Sequence, residues 1–112
     1  MTIQEHNQLN AQRMRALLRG NEIRTKRAQD KARVAHGQLS AAEILRHLPQ
    51  HWKSAKLVDL LLLVPKVGQV KARRMAEAQG VTLRHHLDQI TLAQRRRIAE
   101  ELEAKGWTPR DV

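Results

Sequence analysis

Apolar side chains are sparse in the first third of the chain and crowd into the rest of it. Thr2 and Glu5 have the spacing of a capping box, and no strong helix breaker other than Gly20 follows in the first third, so the pattern predicts one helix over 3–36. Basic side chains occupy most of its circumference. Because such a helix has little to bury, we interpret residues 1–36 as a basic N-terminal helical arm that projects from the fold.

Residues 37–112 have the pattern of several short helices around one core. Residues 55–63 are apolar almost all round, which places that helix in the core, and a tight turn is predicted at 64–68. Sustained β-branched alternation is missing, so we expect an all-α fold with a single globular body. Ser40 is expected to open a short helix that stops near Pro49, a further helix is expected over 70–79 before Gly80, and a short helical turn over 81–89. The last helix is expected to be opened by Thr91 and Gln94 and to end at Gly106. It is expected to bury Ile98, Ala99 and Leu102.

The charge balance points to a polyanionic partner. Lysine and arginine total 21 against 11 acidic residues, which gives a formal net charge of +10. Trp52 and Trp107 are the only aromatic residues, and we expect both to pack in the fold. Since two tryptophans cannot build the stacking platform used on single strands and RNA loops, double-stranded DNA becomes the expected partner.

Other classes of function find little support in the sequence. Cysteine is absent, and Pro49 breaks the helix that would bring His47 and His51 into metal-binding register. No nucleophile or acid stands out that would serve a base-sized pocket, so we expect no enzyme, no catalytic residue, no metal and no cofactor. The longest aliphatic run, residues 60–64, is far short of the roughly 20 residues that span a bilayer, so a cytoplasmic protein without a membrane partner is expected.

Residues 60–72 have the pattern of a helix-hairpin-helix that turns at Pro65. The helix that follows such a turn starts with unpaired backbone N–H groups, and its dipole favours an anion. Gly68 has no Cβ, so a DNA backbone can approach closely. The alternative is an αα-hairpin that only packs, with solvated cations outside, and the net charge favours DNA. The residues expected to hold a phosphate are Lys66, Val67, Gly68, Gln69, Val70, Lys71 and Arg74.

The sequence resembles the actinobacterial-type integration host factor family. The resemblance lies in the order of these elements, in the hairpin, and in Gly80 and Val81 followed by a short helix and then by Gln94 with the last helix. The resemblance covers about residues 30–104. It implies a long N-terminal helix on a helix-two-turn-helix body, a module also present in a small-subunit ribosomal protein and in some DNA glycosylases. It further implies a nucleoid-associated, architectural protein that bends or compacts duplex DNA with little sequence preference and that in some members assists phage integrases.

Two positions depart from the family pattern. Lys66 stands where the family usually has glycine after the hairpin proline, and would exchange close backbone approach for a side-chain contact. The family's arginine-rich turn is replaced by residues 83–88, where Arg84, His85 and His86 are the DNA-contacting candidates. That surface is expected to be weaker and to depend on pH, because histidine gains charge only near its ordinary pKa of about 6.5.

The arm is expected to supply a second DNA surface, so that a monomer could bridge or bend duplexes. Two other functions remain open: an RNA-binding or ribosome-associated module of similar fold, and an adaptor whose arm patch of Met14, Leu17 and Leu18 docks on a phage integrase. In the last helix we expect Arg96 and Arg97 to pair with Glu100 and Glu101 on a solvated face. The arm residues expected to contact DNA are Arg13, Arg24, Arg27 and Lys31.

Overall fold

The computed structural model describes residues 2–105, apart from the side chains of residues 4–6. The described chain is all-α and contains no strand. It measures 60 × 34 × 21 Å along its principal axes, because one long helix extends from a smaller body. The predicted helix end at Gly106 and the packing of Trp107 lie outside the described residues. The five α-helices are α1 (Ile3–Ala35), α2 (Ala41–His47), α3 (Leu57–Leu61), α4 (Gln69–Ala78) and α5 (Leu92–Ala104).

Helix α1 confirms the long helix predicted from the sequence, and Gly20 does not interrupt it. The described side chains before residue 20 are all exposed, whereas Ile23, Arg27 and Asp30 are partly covered and Val34 is buried. Gly37 ends the helix with a left-handed φ of 73°, and its amide donates to the carbonyl of Val34 at 3.1 Å. The arm is therefore attached to the body only along its C-terminal part.

The body is built around the packing of α2 against α5. Ser40 caps α2, since its Oγ accepts a hydrogen bond from the amide of Glu43 at 3.4 Å. Thr91 and Gln94 form the complete capping box predicted for α5: Thr91 Oγ1 accepts from the Gln94 amide, and Gln94 Oε1 accepts from the Thr91 amide. The largest fully buried side chains are Trp52, Leu45, Leu57, Leu60, Leu61, Met75, Leu87, Ile98 and Leu102.

Helix α3 is shorter and less enclosed than its sequence predicts. It covers only Leu57–Leu61, and although three of its leucines are fully buried, Leu62 directly after it is 41% exposed. The predicted turn follows, and Lys66 there has a left-handed φ of 69°. The amide of Val67 donates to the carbonyl of Val64 at 3.1 Å and closes the turn. Helix α4 then starts at Gln69, and Gly80 follows its end with a φ of 70°.

In the segment over residues 81–89, where the sequence predicted a short helical turn, the residues before Leu87 form a turn and a bend. The backbone of this segment pairs with residues 55–58, and Lys56 and His86 form an isolated antiparallel bridge. Only Leu87–Gln89 forms a short 3₁₀ turn, and a second 3₁₀ turn at Gln50–Trp52 was not predicted. None of the described helices combines the length and apolarity needed to cross a membrane.

Candidate nucleic-acid interface

The start of α4 presents unsatisfied backbone donors to solvent. The amides of Gly68, Gln69 and Val70 have no acceptor within the part of the chain that the structure describes, and all three residues are exposed. Val67 was expected to contribute a fourth free donor, but its amide closes the preceding turn and its side chain is buried. The N-terminus of a helix with free N–H groups favours an anion through both hydrogen bonding and the helix dipole.

Gly68 has no structural reason to be a glycine. Its φ of −92° is accessible to any residue, and no atom lies within 4 Å of the place that a Cβ would occupy. The fold would accept a side chain here, so the open space above the helix N-terminus is a property of the surface. A backbone phosphate has room to approach these amides.

The lysines of this surface lie beside the free amides. Lys66 and Lys71 are both exposed, and Lys71 Nζ donates to the carbonyl oxygen of Lys66 at 3.3 Å, which holds its ammonium group over the turn. Arg74 is exposed one helical turn after Val70. Backbone donors and two ammonium groups are thus collected at the start of α4, and Arg74 follows farther along the helix.

A groove of about 540 Å³ extends this surface toward the segment after α4. Gln69 and Arg73 line it from α4, and Arg84 lines it from the opposite side together with Thr82. Two of the predicted site residues, Gln69 and Arg84, therefore meet at one groove. Arg73 was missed from the sequence, although its place four residues after Gln69 on one helix face was a usable signal.

His85 and His86 are engaged in local hydrogen bonds that shape their own loop. His85 Nδ1 accepts from the backbone amide of Thr82 at 2.9 Å, and the His86 side chain accepts from the backbone of Gln89. The Gln89 side chain in turn accepts from the His86 amide at 3.1 Å. Both histidines are half-buried, so Arg84 is the exposed cation that the segment offers to a ligand.

The four predicted arm residues have different surroundings. Arg13 and Arg24 are exposed, and Arg24 donates to the side chain of Asn21 at 2.8 Å. Lys31 is half-buried. Arg27 is engaged within the protein, since Nε donates to the carbonyl of His51 and Nη2 donates to Ser54 Oγ, both at 2.8 Å. Arg27 therefore anchors the arm to the body in this structure.

Asp30 provides a second anchor that sequence reasoning missed. Its Oδ2 lies 2.5 Å from His51 Nε2 and accepts from Trp52 Nε1 at 3.0 Å. Partial burial raises the pKa of this carboxyl, but the hydrogen bonds from His51 and Trp52 outweigh it and leave the pKa below its ordinary value. Trp52 is fully buried, as predicted, and its role includes this contact. We call Asp30, His51 and Trp52 the arm latch.

In the arginine run of α5, Arg95 is half-buried against the body, whereas Arg96 and Arg97 are exposed. Arg95 donates from Nη1 to the carbonyl of Leu45 at 2.7 Å and from Nε to that of Ile90 at 3.2 Å, and burial lowers its pKa. The expected pairs of Arg96 and Arg97 with Glu100 and Glu101 are not formed between these described residues. Two of the three acidic side chains of α5 pair elsewhere, Glu101 with Lys105 and Glu103 with Arg46.

The described residues hold no group of three or more histidine, aspartate or glutamate side chains arranged for a metal ion. His47 pairs instead with Glu43 at 3.0 Å on α2. No family model, no curated protein and no solved structure matches the chain. Its function therefore has to be inferred from its own residues.

Proposed function

We propose that the protein binds double-stranded DNA through the phosphate backbone, with little preference for sequence. The observation that carries the proposal is the start of α4, where the exposed amides of Gly68, Gln69 and Val70 have no acceptor among residues 2–105 and Lys66 and Lys71 lie beside them. Phosphate contacts of this kind position a protein on a duplex and carry no direct sequence information. The formal charge of +10 supplies the long-range attraction.

The groove beside α4 supports contact with more than one phosphate. Arg73 and Arg84 line it with Gln69 and Glu77, so two cations and one carboxylate border the groove beside the helix N-terminus. The exposed arm residues Arg13 and Arg24 offer a second basic surface. A small protein with two such surfaces would bend, bridge or compact DNA, which is an architectural role and requires no catalysis.

This role agrees with the family that the sequence resembles. We infer that the body corresponds to a helix-two-turn-helix module in which α3, the turn at Lys66 and α4 form the helix-hairpin-helix. The left-handed φ of Lys66 explains why glycine would suit this position. The protein would then be a nucleoid-associated, integration-host-factor-like factor that acts as a monomer in the cytoplasm.

Titration of labelled duplexes at several salt concentrations tests the proposal. If about 5 or 6 phosphates are neutralised, the plot of log K against log salt has a slope near −5, and unrelated duplexes of equal length give the same affinity. Structured RNA serves as the competitor. A slope near zero, a strong preference for one duplex, or tighter binding of RNA would overturn the proposal.

A further inference from the structure

The N-terminal half of α1 carries an exposed apolar face that the body leaves uncovered. Met14, Leu17 and Leu18 are 57, 59 and 60% exposed, and Ile3 is 82% exposed. At about 100° per residue, Met14, Leu17 and Leu18 fall within about 100° of the helix circumference, and no charged residue of α1 shares that sector. Asn10 and Asn21 bound this three-residue patch along the helix, and Ile3 lies apart from it beyond Asn7. Ile23 and Val34, which do contact the body, lie on the opposite side of the helix.

The edges of this face are basic. Arg13 and Arg24 follow one edge and Arg15 follows the other, and all three are exposed. None of them pairs with a carboxylate among the described residues. The nearest acidic side chain, Glu22, is paired with Lys26 at 2.9 Å, which lowers the pKa of its carboxyl. Met14, Leu17 and Leu18 thus form a short apolar strip with a cationic rim.

DNA and a second copy of this chain both fit the strip poorly. Phosphates gain nothing from contact with Met14, Leu17 and Leu18, and would bind at the rim while leaving the strip in water. Two copies of α1 packed face to face would bring Arg13, Arg15 and Arg24 of each copy against one another, and like charges at such short range are unfavourable.

We infer that the apolar face of α1 is a docking surface for a partner protein that presents an amphipathic helix with an apolar stripe and acidic edges. Such a helix would cover Met14, Leu17 and Leu18, and its carboxylates would neutralise Arg13, Arg15 and Arg24. This surface is separate from the start of α4, but it shares Arg13 and Arg24 with the proposed second DNA surface, so the partner and DNA would compete for those two residues.

The test uses the full chain and three labelled synthetic helical peptides, without DNA. The first peptide has a leucine stripe edged by glutamate, the second has the same stripe edged by lysine, and the third is a scrambled sequence with the composition of the first. We expect the protein to bind the first peptide about tenfold or more tightly than either of the others. Equal binding of the scrambled peptide would reduce the effect to net charge and overturn the inference.

Variants locate the site. Replacing Leu17 and Leu18 by Gln should weaken binding of the first peptide by about tenfold, because glutamine keeps the helix but removes the apolar contact. The matched control replaces Leu62 and Leu92 of the body by Gln. These leucines are 41 and 42% exposed, and the control should bind the first peptide as the parent does. Unchanged thermal unfolding of each variant confirms its fold. Unchanged binding after the Leu17 and Leu18 replacement, or self-association of the parent that this replacement abolishes, would overturn the inference.

Discussion

The indole Nε1 of Trp52 donates a hydrogen bond of 3.0 Å to Oδ2 of Asp30, and this bond joins the fully buried tryptophan of the body to the long helix α1. The same oxygen lies 2.5 Å from His51 Nε2. One carboxylate thus receives two side chains from a single 3₁₀ turn. Since hydrogen bonds to a charged acceptor are stronger than neutral ones, Asp30 is expected to dominate the docking of the arm.

Replacing Asp30 by Asn tests this latch. The variant loses the charged acceptor, so its free energy of unfolding should fall by about 1–2 kcal/mol at neutral pH. Hydrogen exchange should show reduced protection around residues 23–35, while residues 3–19, whose described side chains are exposed, should be weakly protected in both proteins. Asp59→Asn, which alters an exposed carboxylate, is the control and should leave both measurements unchanged.

The same variant makes a pH prediction. The folded-state pKa of Asp30 lies below its ordinary value, so the stability it contributes is fully present above the unfolded pKa of about 3.9 and is lost as the pH falls through the lower, folded pKa. The difference in stability between the parent and Asp30→Asn should therefore be constant at neutral pH and shrink in that acidic range. A difference that grows on acidification would contradict the assigned direction.

The proposed phosphate site at the start of α4 is tested by replacing its lysines. Replacing Lys66 and Lys71 by Ala should weaken binding by a similar factor on every duplex and make the salt slope shallower by about 1 for each phosphate that is no longer neutralised. The control replaces Arg96 and Arg97 by Ala, which removes the same charge from exposed residues of α5. Gly68→Glu adds bulk and negative charge where the backbone would approach. If the hairpin variants fold and bind DNA like the parent, or if the control weakens binding as much, the start of α4 is not the site.

Two substitutions of Lys66 distinguish its effect on the free energy of unfolding from its effect on DNA binding. Its φ of 69° disfavours any residue with a Cβ, so Lys66→Gly should raise the free energy of unfolding by about 1 kcal/mol relative to Lys66→Ala. Both variants lack the ammonium group and should bind DNA equally weakly. Denaturant unfolding and the salt titration measure the two effects. Retained affinity in the alanine variant would show that the lysine side chain makes no contact with DNA, whereas retained affinity in the glycine variant alone would show that closer backbone approach replaces that contact.

Local signals in the sequence predicted most of the helices. Ser40, Thr91 and Gln94 were readable because a capping residue acts within one helical turn of its own position. Gly37 and Gly80 were readable because a left-handed φ at a helix end favours glycine. The lysines and free amides at the start of α4 could be predicted for the same reason, because they depend on residues within one helical turn of the helix start.

Contacts between distant parts of the chain were not predictable in this way. Arg27 and Asp30 have the same surface character in the sequence as other polar residues of the arm, and only the approach of residues 50–54 makes them anchors. Arg95 belongs to an arginine run, yet the carbonyls of Leu45 and Ile90 bind it to the body. The predicted helical turn within 81–89 is confined to Leu87–Gln89, and the backbone hydrogen bonds of this segment to residues 55–58 had no local signal in the sequence.

Attachment of α1 at only one end makes it a lever. Residues 3–22 extend about 30 Å from the first covered side chain at 1.5 Å per residue, so a tilt of about 10° at the latch would displace the tip by about 5 Å. The hydrogen bonds of Asp30 therefore determine how precisely the arginines near the far end of α1 are positioned relative to the body. A substitution in the arm latch would change the position of the N-terminal end of α1 without altering any residue at that end.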